Sequence, residues 1–209
     1  MFHFTIRRAV AACAALLLSS VAASAELREA LPGTTYEWTC TGDWDSYREV
    51  IVEADSEKLV KDSFVDGSKW SRTWRRSWLR GSSLYYKRNF TKFGLRTVDY
   101  DWERLRGFED MQVGWSKSDT ATISGESRRG PYTERLKFEM RHVARKQISS
   151  PVYGDIEVVE TITNIREGKR RNECVALVFP QDAAQVEFNC EISGGRTNLD
   201  FACKLTDRY

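Results

Sequence analysis

Apolar and polar side chains alternate along most of this chain, and no long stretch has the period of an amphipathic helix. Tyr36, Trp38 and Cys40, for example, alternate with polar neighbours. A period of two is expected of a strand that buries one face and exposes the other. The pattern therefore favours β-structure from one end of the chain to the other.

Thirteen runs follow this pattern, at residues 36–40, 50–52, 59–65, 70–78, 84–90, 95–102, 111–115, 121–127, 132–140, 156–165, 174–179, 186–192 and 199–205. About 12 to 13 short strands with regularly spaced turns are typical of antiparallel barrels and sandwiches. The alternation thus predicts an all-β fold, either a single antiparallel β-barrel or a strongly curved open sheet.

The first 25 residues differ from the rest and have the features of a secretory signal peptide. Arg7 and Arg8 precede an apolar run at residues 9–21, and the segment ends on Ala-Ser-Ala, a pattern that signal peptidase accepts. The apolar run is too short to span a bilayer, and no second one follows, so we predict no integral membrane span. We predict a signal peptide at residues 1–25 and one domain at residues 26–209, in the periplasm or, as the alternative, secreted.

Four cysteines remain once the predicted leader is removed: Cys40, Cys174, Cys190 and Cys203. An even number of cysteines in an exported chain predicts two disulfides. No two of them have the close spacing of a zinc knuckle or a redox motif. The remaining histidine, His142, is expected at the edge of a strand on the surface, so we predict neither a metal site nor a cofactor.

Strand register bears on how these cysteines pair. A hairpin of residues 174–179 and 186–192 sets Val178 opposite Val186 and Cys174 opposite Cys190, which leaves Cys40 for Cys203. The rival register centres the last hairpin on residues 195–198 and sets Cys190 opposite Cys203. Opposed residues on one face come within bridging distance in either case, so spacing alone leaves both open. We prefer the first pairing.

The segment at residues 69–98 contains nine basic residues, seven aromatic residues and no acid. On a strand, the side chains of one face alternate with those of the other, so Ser71, Thr73 and Arg75 would face water. Rings stack on flat ligands, and guanidinium groups bind carboxylate or phosphate. We therefore predict a ligand platform on two neighbouring strands, made of Trp70, Arg72, Trp74, Arg76, Trp78, Tyr86 and Arg88. The alternative is that these residues fill a barrel interior, with Arg72 and Arg76 paired to acids such as Asp62, Asp99 or Glu103.

The net charge and the catalytic motifs that are missing further limit the functions that this chain can have. The chain has 32 basic and 30 acidic residues, and the predicted leader holds two arginines and no acid, so residues 26–209 have no net charge. Binding of nucleic acid in general requires a net basic surface, so we exclude it. No serine-nucleophile elbow, zinc-binding helix motif or phosphate-binding loop occurs, so we predict no enzymatic activity.

Three functions remain as hypotheses. The first is an envelope-associated binding or integrity protein whose platform contacts an anionic glycan, lipopolysaccharide or lipid. The second is a lipocalin-like carrier that holds an apolar or amphipathic ligand inside the barrel. The third is a glycan hydrolase using carboxylates such as Asp99, Asp101 and Glu103, which would share one face of a strand. Salt-sensitive polymer binding, co-purifying lipid and released sugar would distinguish them.

Overall fold

The computed structural model describes residues 31–127, 130–195 and 198–209, and the predicted signal peptide lies outside this part of the chain. The described chain is almost entirely β-structure, which confirms the predicted fold class. Its helical elements are two short 3-10 turns, Ser77–Leu79 and Glu103–Leu105. The strands are β1 (Thr35–Gly42), β2 (Ser46–Ala54), β3 (Lys58–Val65), β4 (Ser68–Arg76), β5 (Lys87–Phe90), β6 (Gly94–Asp99), β7 (Ser116–Ser127), β8 (Gly130–Ser150), β9 (Gly154–Glu167), β10 (Arg170–Phe179), β11 (Ala184–Ser193) and β12 (Leu199–Arg208).

The strands form a closed antiparallel barrel in which each pairs with its neighbours in sequence, and β1 also pairs with β12. Closure decides between the two predicted architectures in favour of the barrel. It also removes the unpaired edges that an open sheet would expose. Successive side chains point alternately into the lumen and out to solvent, which is the origin of the alternating sequence.

Two disulfides, Cys40–Cys203 and Cys174–Cys190, brace the barrel in the preferred pairing. Cys174 lies opposite Cys190 on β10 and β11, whereas Cys190 lies opposite Phe201 on β12, so the rival pairing was wrong. A register shift after Leu177 sets Val178 opposite Gln185, so the predicted pairing of Val178 with Val186 was also wrong. One irregular residue moves the register without affecting the cysteines further along.

Several predicted strands are shorter than expected. Residues 111–115 form turns rather than a strand, with positive φ angles of 50° at Met111 and 91° at Gly114. Trp78 lies in a 3-10 turn beyond the end of β4, and Tyr86 precedes β5. Alternation is too local a signal to show where the backbone leaves the sheet.

The two ends of the barrel differ. At one end the connections between strands are short, at β1–β2, β3–β4, β5–β6 and β9–β10. At the other end, the connections at residues 77–86 and 100–115 bring Leu79, Leu105 and Phe108 into the core, each at most 1% exposed. These long connections close that end of the barrel, and we call it the plugged end.

His142 and Asp182 are buried polar residues at the plugged end. His142 is 2% exposed, with one ring nitrogen 3.0 Å from the Phe108 carbonyl oxygen and the other 3.0 Å from the Thr161 hydroxyl. The expected surface position of His142 was therefore wrong, and burial lowers its pKa. Asp182 is also 2% exposed; it accepts hydrogen bonds from Tyr153 at 2.5 Å and from Tyr36, and it pairs with Arg208.

Candidate functional site

The inner face of β4 is polar, which is opposite to the expectation from sequence. Ser71 and Thr73 are at most 1% exposed and Arg75 is 7% exposed, so the face that was predicted to suit water faces the lumen. These residues lie opposite other inward polar groups, with Thr73 paired to Lys61 on β3. Small hydroxyl side chains leave space inside the barrel, and that space holds long charged side chains and a cavity.

The cavity has a volume of about 180 Å³ and is partly open to solvent. Four arginines and two glutamates contribute to its wall: Arg75, Arg88, Arg96, Arg170, Glu49 and Glu167. Eight aromatic residues also line the cavity, together with aliphatic and small polar residues: Trp44, Tyr47, Trp70, Tyr85, Phe90, Tyr100, Phe188 and Phe201. Positive charge and rings thus surround one space, and the charged wall has more cations than anions.

Two of these arginines lie side by side on adjacent strands. Arg88 on β5 is directly opposite Arg96 on β6, and both guanidinium carbons lie near the ring of Phe90, at 4.7 and 5.5 Å from its centroid. Arg88 donates to the Ser71 hydroxyl at 3.0 Å, and Arg96 pairs with Glu167 at 3.3 Å. Like charges directly opposite in a sheet repel each other. Glu167 offsets the charge of Arg96, whereas the hydroxyl partner of Arg88 is neutral and leaves the charge of Arg88 uncompensated.

The other cavity glutamate is already engaged. Glu49 forms a buried ion pair with Lys61 and accepts a hydrogen bond from the Tyr47 hydroxyl at 2.8 Å. Burial opposes ionisation of Glu49, but Lys61, Arg75 and Tyr47 together outweigh it and lower its pKa. The pKa of Lys61 is lowered to about 8, mainly by burial. The positive charges of Arg75 and Arg88 also act to lower this pKa, whereas the negative charge of Glu49 acts to raise it.

Arg75 and Arg88 consequently carry positive charge that the cavity does not neutralise. Within the described ranges, no carboxylate oxygen lies within 4.0 Å of either guanidinium group. Arg75 instead donates to the backbone carbonyl of Ser82, and burial lowers its pKa. A guanidinium group stays protonated even so, because its pKa begins far above neutrality. The cavity is therefore suited to an anion.

The seven predicted platform residues are divided between the two sides of the barrel wall. Trp70 and Arg88 line the cavity. Arg72 lies outside, where it makes a two-bond contact with Asp62 at 2.7 and 2.8 Å. That contact is the largest cause of the lowered pKa of Asp62. The pairing of Arg72 with Asp62 confirms that part of the alternative interpretation, although on the outer surface.

The remaining four platform residues are half-buried and form an outer cluster: Trp74, Arg76, Trp78 and Tyr86. Its cations already lie over rings of the same chain: Lys87 over Trp74 at 4.9 Å, Arg76 over Trp102 at 5.5 Å and over Tyr86 at 5.8 Å, and Arg106 over Trp78 at 4.5 Å. Each such contact contributes roughly 0.5–1 kcal/mol at an exposed site. The cations around this cluster thus already have ring partners within the chain.

The acidic residues considered for hydrolysis are not brought together on a strand. Strand β6 ends at Asp99, so Asp101 and Glu103 follow it in a turn, and all three are exposed. The predicted shared face was wrong, because the backbone turns where the pattern assumed a continued strand. Among the residues that the structure describes, no group of three or more His, Cys, Asp or Glu side chains could hold a metal ion.

The sequence interpretation missed Glu49, Arg75, Arg96 and Tyr47 as cavity residues. One signal was available for Arg75: it follows Ser71 and Thr73 at alternate positions, and small side chains on one face of a barrel strand leave room for a large one. No comparable signal marks Glu49 or Arg96, because their meeting depends on the closure of the barrel.

Comparison with known proteins gives a fold relationship. No model of a protein family matches this chain, and no curated protein does either. Among solved structures, the crystal structure of the hypothetical lipoprotein YmcC from Escherichia coli (K12) is similar, with a TM-score of 0.52 over 84% of this chain and 87% of that chain. Sequence identity is 11%, so the likeness concerns the fold alone. In the described part of this chain, no helix has the length and apolar character needed to cross a membrane.

Proposed function

We propose that this protein is an exported, non-enzymatic binding protein of the cell envelope that holds an anionic, ring-sized group inside its barrel. The observation that carries the proposal is the placement of Arg88 directly opposite Arg96 in a cavity whose two carboxylates are already paired. An incoming carboxylate or phosphate would offset the charge of Arg88, which Glu167 leaves uncompensated because it pairs with Arg96, and would accept charge-assisted hydrogen bonds from Arg88.

The size of the cavity limits the ligand. A cavity of about 150 Å³ accommodates a benzene molecule, and this one has about 180 Å³. One sugar-sized ring fits such a space, whereas a whole lipid does not. The aromatic wall suits the flat faces of a ring, and the arginines suit its acidic substituent. A carboxylated or phosphorylated sugar therefore fits better than the apolar ligand of a lipocalin-like carrier.

Three observations support an envelope location. The sequence predicts an export signal at residues 1–25, and the chain carries two disulfides, which persist in oxidising compartments. The similar structure YmcC is described as a hypothetical lipoprotein. We infer the periplasm as the location, with secretion as the alternative.

Calorimetric titration of residues 26–209 with glucuronate, glucose 6-phosphate and glucose tests the proposal. We expect one or both acidic sugars to bind and neutral glucose not to bind. Arg88→Gln should weaken binding about tenfold to a hundredfold, because a hydrogen bond to a charged group contributes roughly 1.5–3 kcal/mol. Arg72→Gln is the matched control, since Arg72 belongs to the same basic segment but lies outside, paired with Asp62.

Binding of glucose as tightly as the better of the two acidic sugars would contradict the proposal, because the arginines would then have no role. Unchanged affinity in Arg88→Gln would do the same. A thermal unfolding curve of each variant separates lost binding from lost folding. Binding should also weaken with salt, but only modestly, since the charges lie in a partly enclosed space where screening is reduced.

A further inference from the structure

A second group of cations lies on the outer surface of the barrel, on the neighbouring strands β8, β9 and β10. Lys137 on β8 is directly opposite Arg166 on β9, and Arg166 is directly opposite Arg171 on β10. All three side chains are exposed. No carboxylate oxygen within 4.0 Å of these cations occurs in the described portion of the chain. Three like charges in register across adjacent strands repel one another.

The row of cations forms one side of an outer groove of about 360 Å³. The opposite side is formed by Glu139, Asn164 and Glu173, with Ser118 beside them. The side-chain oxygen of Asn164 is buried and accepts no hydrogen bond from any described residue. The groove therefore has a cationic side for acidic groups and an acceptor side for hydroxyl groups.

The turn between β9 and β10 connects the groove with the lumen. Arg170 lines the inner cavity, and its neighbour Arg171 lines the outer groove. Arg170 is exposed, as is Lys169 in the turn itself. Positive groups thus occur in the lumen, at the rim of the barrel and on its outer wall, with Glu167 directly opposite Arg170 at the rim.

We propose that the ligand is a linear acidic polysaccharide whose terminal acidic sugar occupies the lumen and whose following units lie across Lys137, Arg166 and Arg171. The inference rests on the proposed function and names its substrate class. Adjacent strands are about 4.8 Å apart, so the row of cations spans roughly 10 Å. Such a length exceeds one ring and requires a polymer rather than a free monosaccharide.

Two features favour a polysaccharide over other anionic polymers. Glu139 and Glu173 accept hydrogen bonds from hydroxyl groups, which every ring of a sugar chain carries in several copies and a nucleotide carries at most once within a strand. Residues 26–209 also have no net charge, so only a local row of cations attracts the polymer. A sugar chain that carries both carboxylates and hydroxyls satisfies both sides of the groove.

Titration with galacturonate and with oligogalacturonates of increasing length tests this inference on residues 26–209. We expect affinity to rise with chain length until the groove is filled. The triple variant Lys137→Gln, Arg166→Gln, Arg171→Gln should bind the longer chains about tenfold more weakly, within bounds of roughly threefold and a hundredfold for three exposed contacts. Its affinity for galacturonate itself should not change.

The matched control changes the same number of charges elsewhere: Arg145→Gln, Lys146→Gln, Lys204→Gln. These exposed cations pair with Glu157, Glu160 and Glu187, away from the groove. The control should bind every chain length as the parent protein does. All six positions are on the surface, so thermal unfolding should confirm that both triple variants fold.

The possible outcomes separate the inference from the function on which it rests. If galacturonate or glucose 6-phosphate binds but chain length and the groove substitutions have no effect, the polysaccharide assignment is overturned and lumen binding stands. If a single-stranded oligonucleotide of equal charge competes as well as the sugar chain, the assignment is likewise overturned. If none of the acidic sugars or chains binds, the proposed function fails together with the inference.

Discussion

The disulfide that closes the barrel should contribute more to stability than the one within a hairpin. Cys40–Cys203 joins residues 163 apart, whereas Cys174–Cys190 joins residues 16 apart. If a cross-link acts by restricting the unfolded chain, its contribution grows with the logarithm of loop length. The relation gives about 5 kcal/mol for a loop of the first size and about 3 kcal/mol for one of the second.

Two double variants isolate this difference: Cys40→Ala with Cys203→Ala, and Cys174→Ala with Cys190→Ala. All four cysteines are buried to a similar extent, 4–8% exposed, so the packing lost with the sulfur atoms is matched. We expect the first variant to be less stable than the second by about 2 kcal/mol. In a domain of this size that difference corresponds to roughly 4–8 °C in Tm.

Urea unfolding followed by tryptophan fluorescence measures the free energy of unfolding of each variant, and the slope with urea checks for changes in the unfolded state. A larger loss for the hairpin pair would refute the reasoning. Equal losses would refute it as well, because they would mean that chain restriction is not what the cross-links contribute.

Two other perturbations test the packing and the buried histidine. Gly42 and Gly33 both have positive φ, at 91° and 93°, but a Cβ at Gly42 would lie 2.2 Å from the Asp200 carbonyl oxygen, whereas one at Gly33 meets open space. Gly42→Ala should therefore lower the free energy of unfolding about 1–3 kcal/mol more than Gly33→Ala, and equal values in urea would contradict the packing. Burial lowers the pKa of His142, so the unfolded chain binds a proton first as pH falls. The stabilising contribution of neutral His142 should be complete above a pH of about 6.5 and lost as the pH falls below it. The urea midpoint of His142→Gln should therefore fall less than that of the parent protein as the pH is lowered. A parallel fall of the two midpoints would contradict this assignment.

Much of the fold could be predicted because successive side chains of a barrel strand point alternately to the lumen and to the outside. Cys174, Ala176 and Phe188 are buried and alternate with less buried neighbours, and their pairing followed from matching two such runs. The pattern failed where the backbone leaves the sheet. Met111 belongs to an apparently alternating run, yet its positive φ places it in a turn, and its burial comes from plugging the barrel.

The binding site was less predictable, because a polar lumen reverses the usual rule about which face is buried. Trp74 and Arg76 form the more conspicuous face of β4, but Ser71 and Thr73 point inward. A pattern of hydrophobicity assigns the large rings to the interior or to a ligand, and it assigns small hydroxyl residues to water. Only the closed barrel shows that Arg88 from one strand faces Arg96 from the next.

The disulfide between β1 and β12 also constrains the order in which the cysteines are oxidised as the chain emerges with its N-terminus first. Cys40 appears early and has its partner, Cys203, only when nearly the whole chain is available. Cys174 and Cys190 meet sooner, because closing a short loop costs less entropy than closing a long one. Once that local bond has formed, Cys203 is the partner left for Cys40 among the four cysteines that the structure describes.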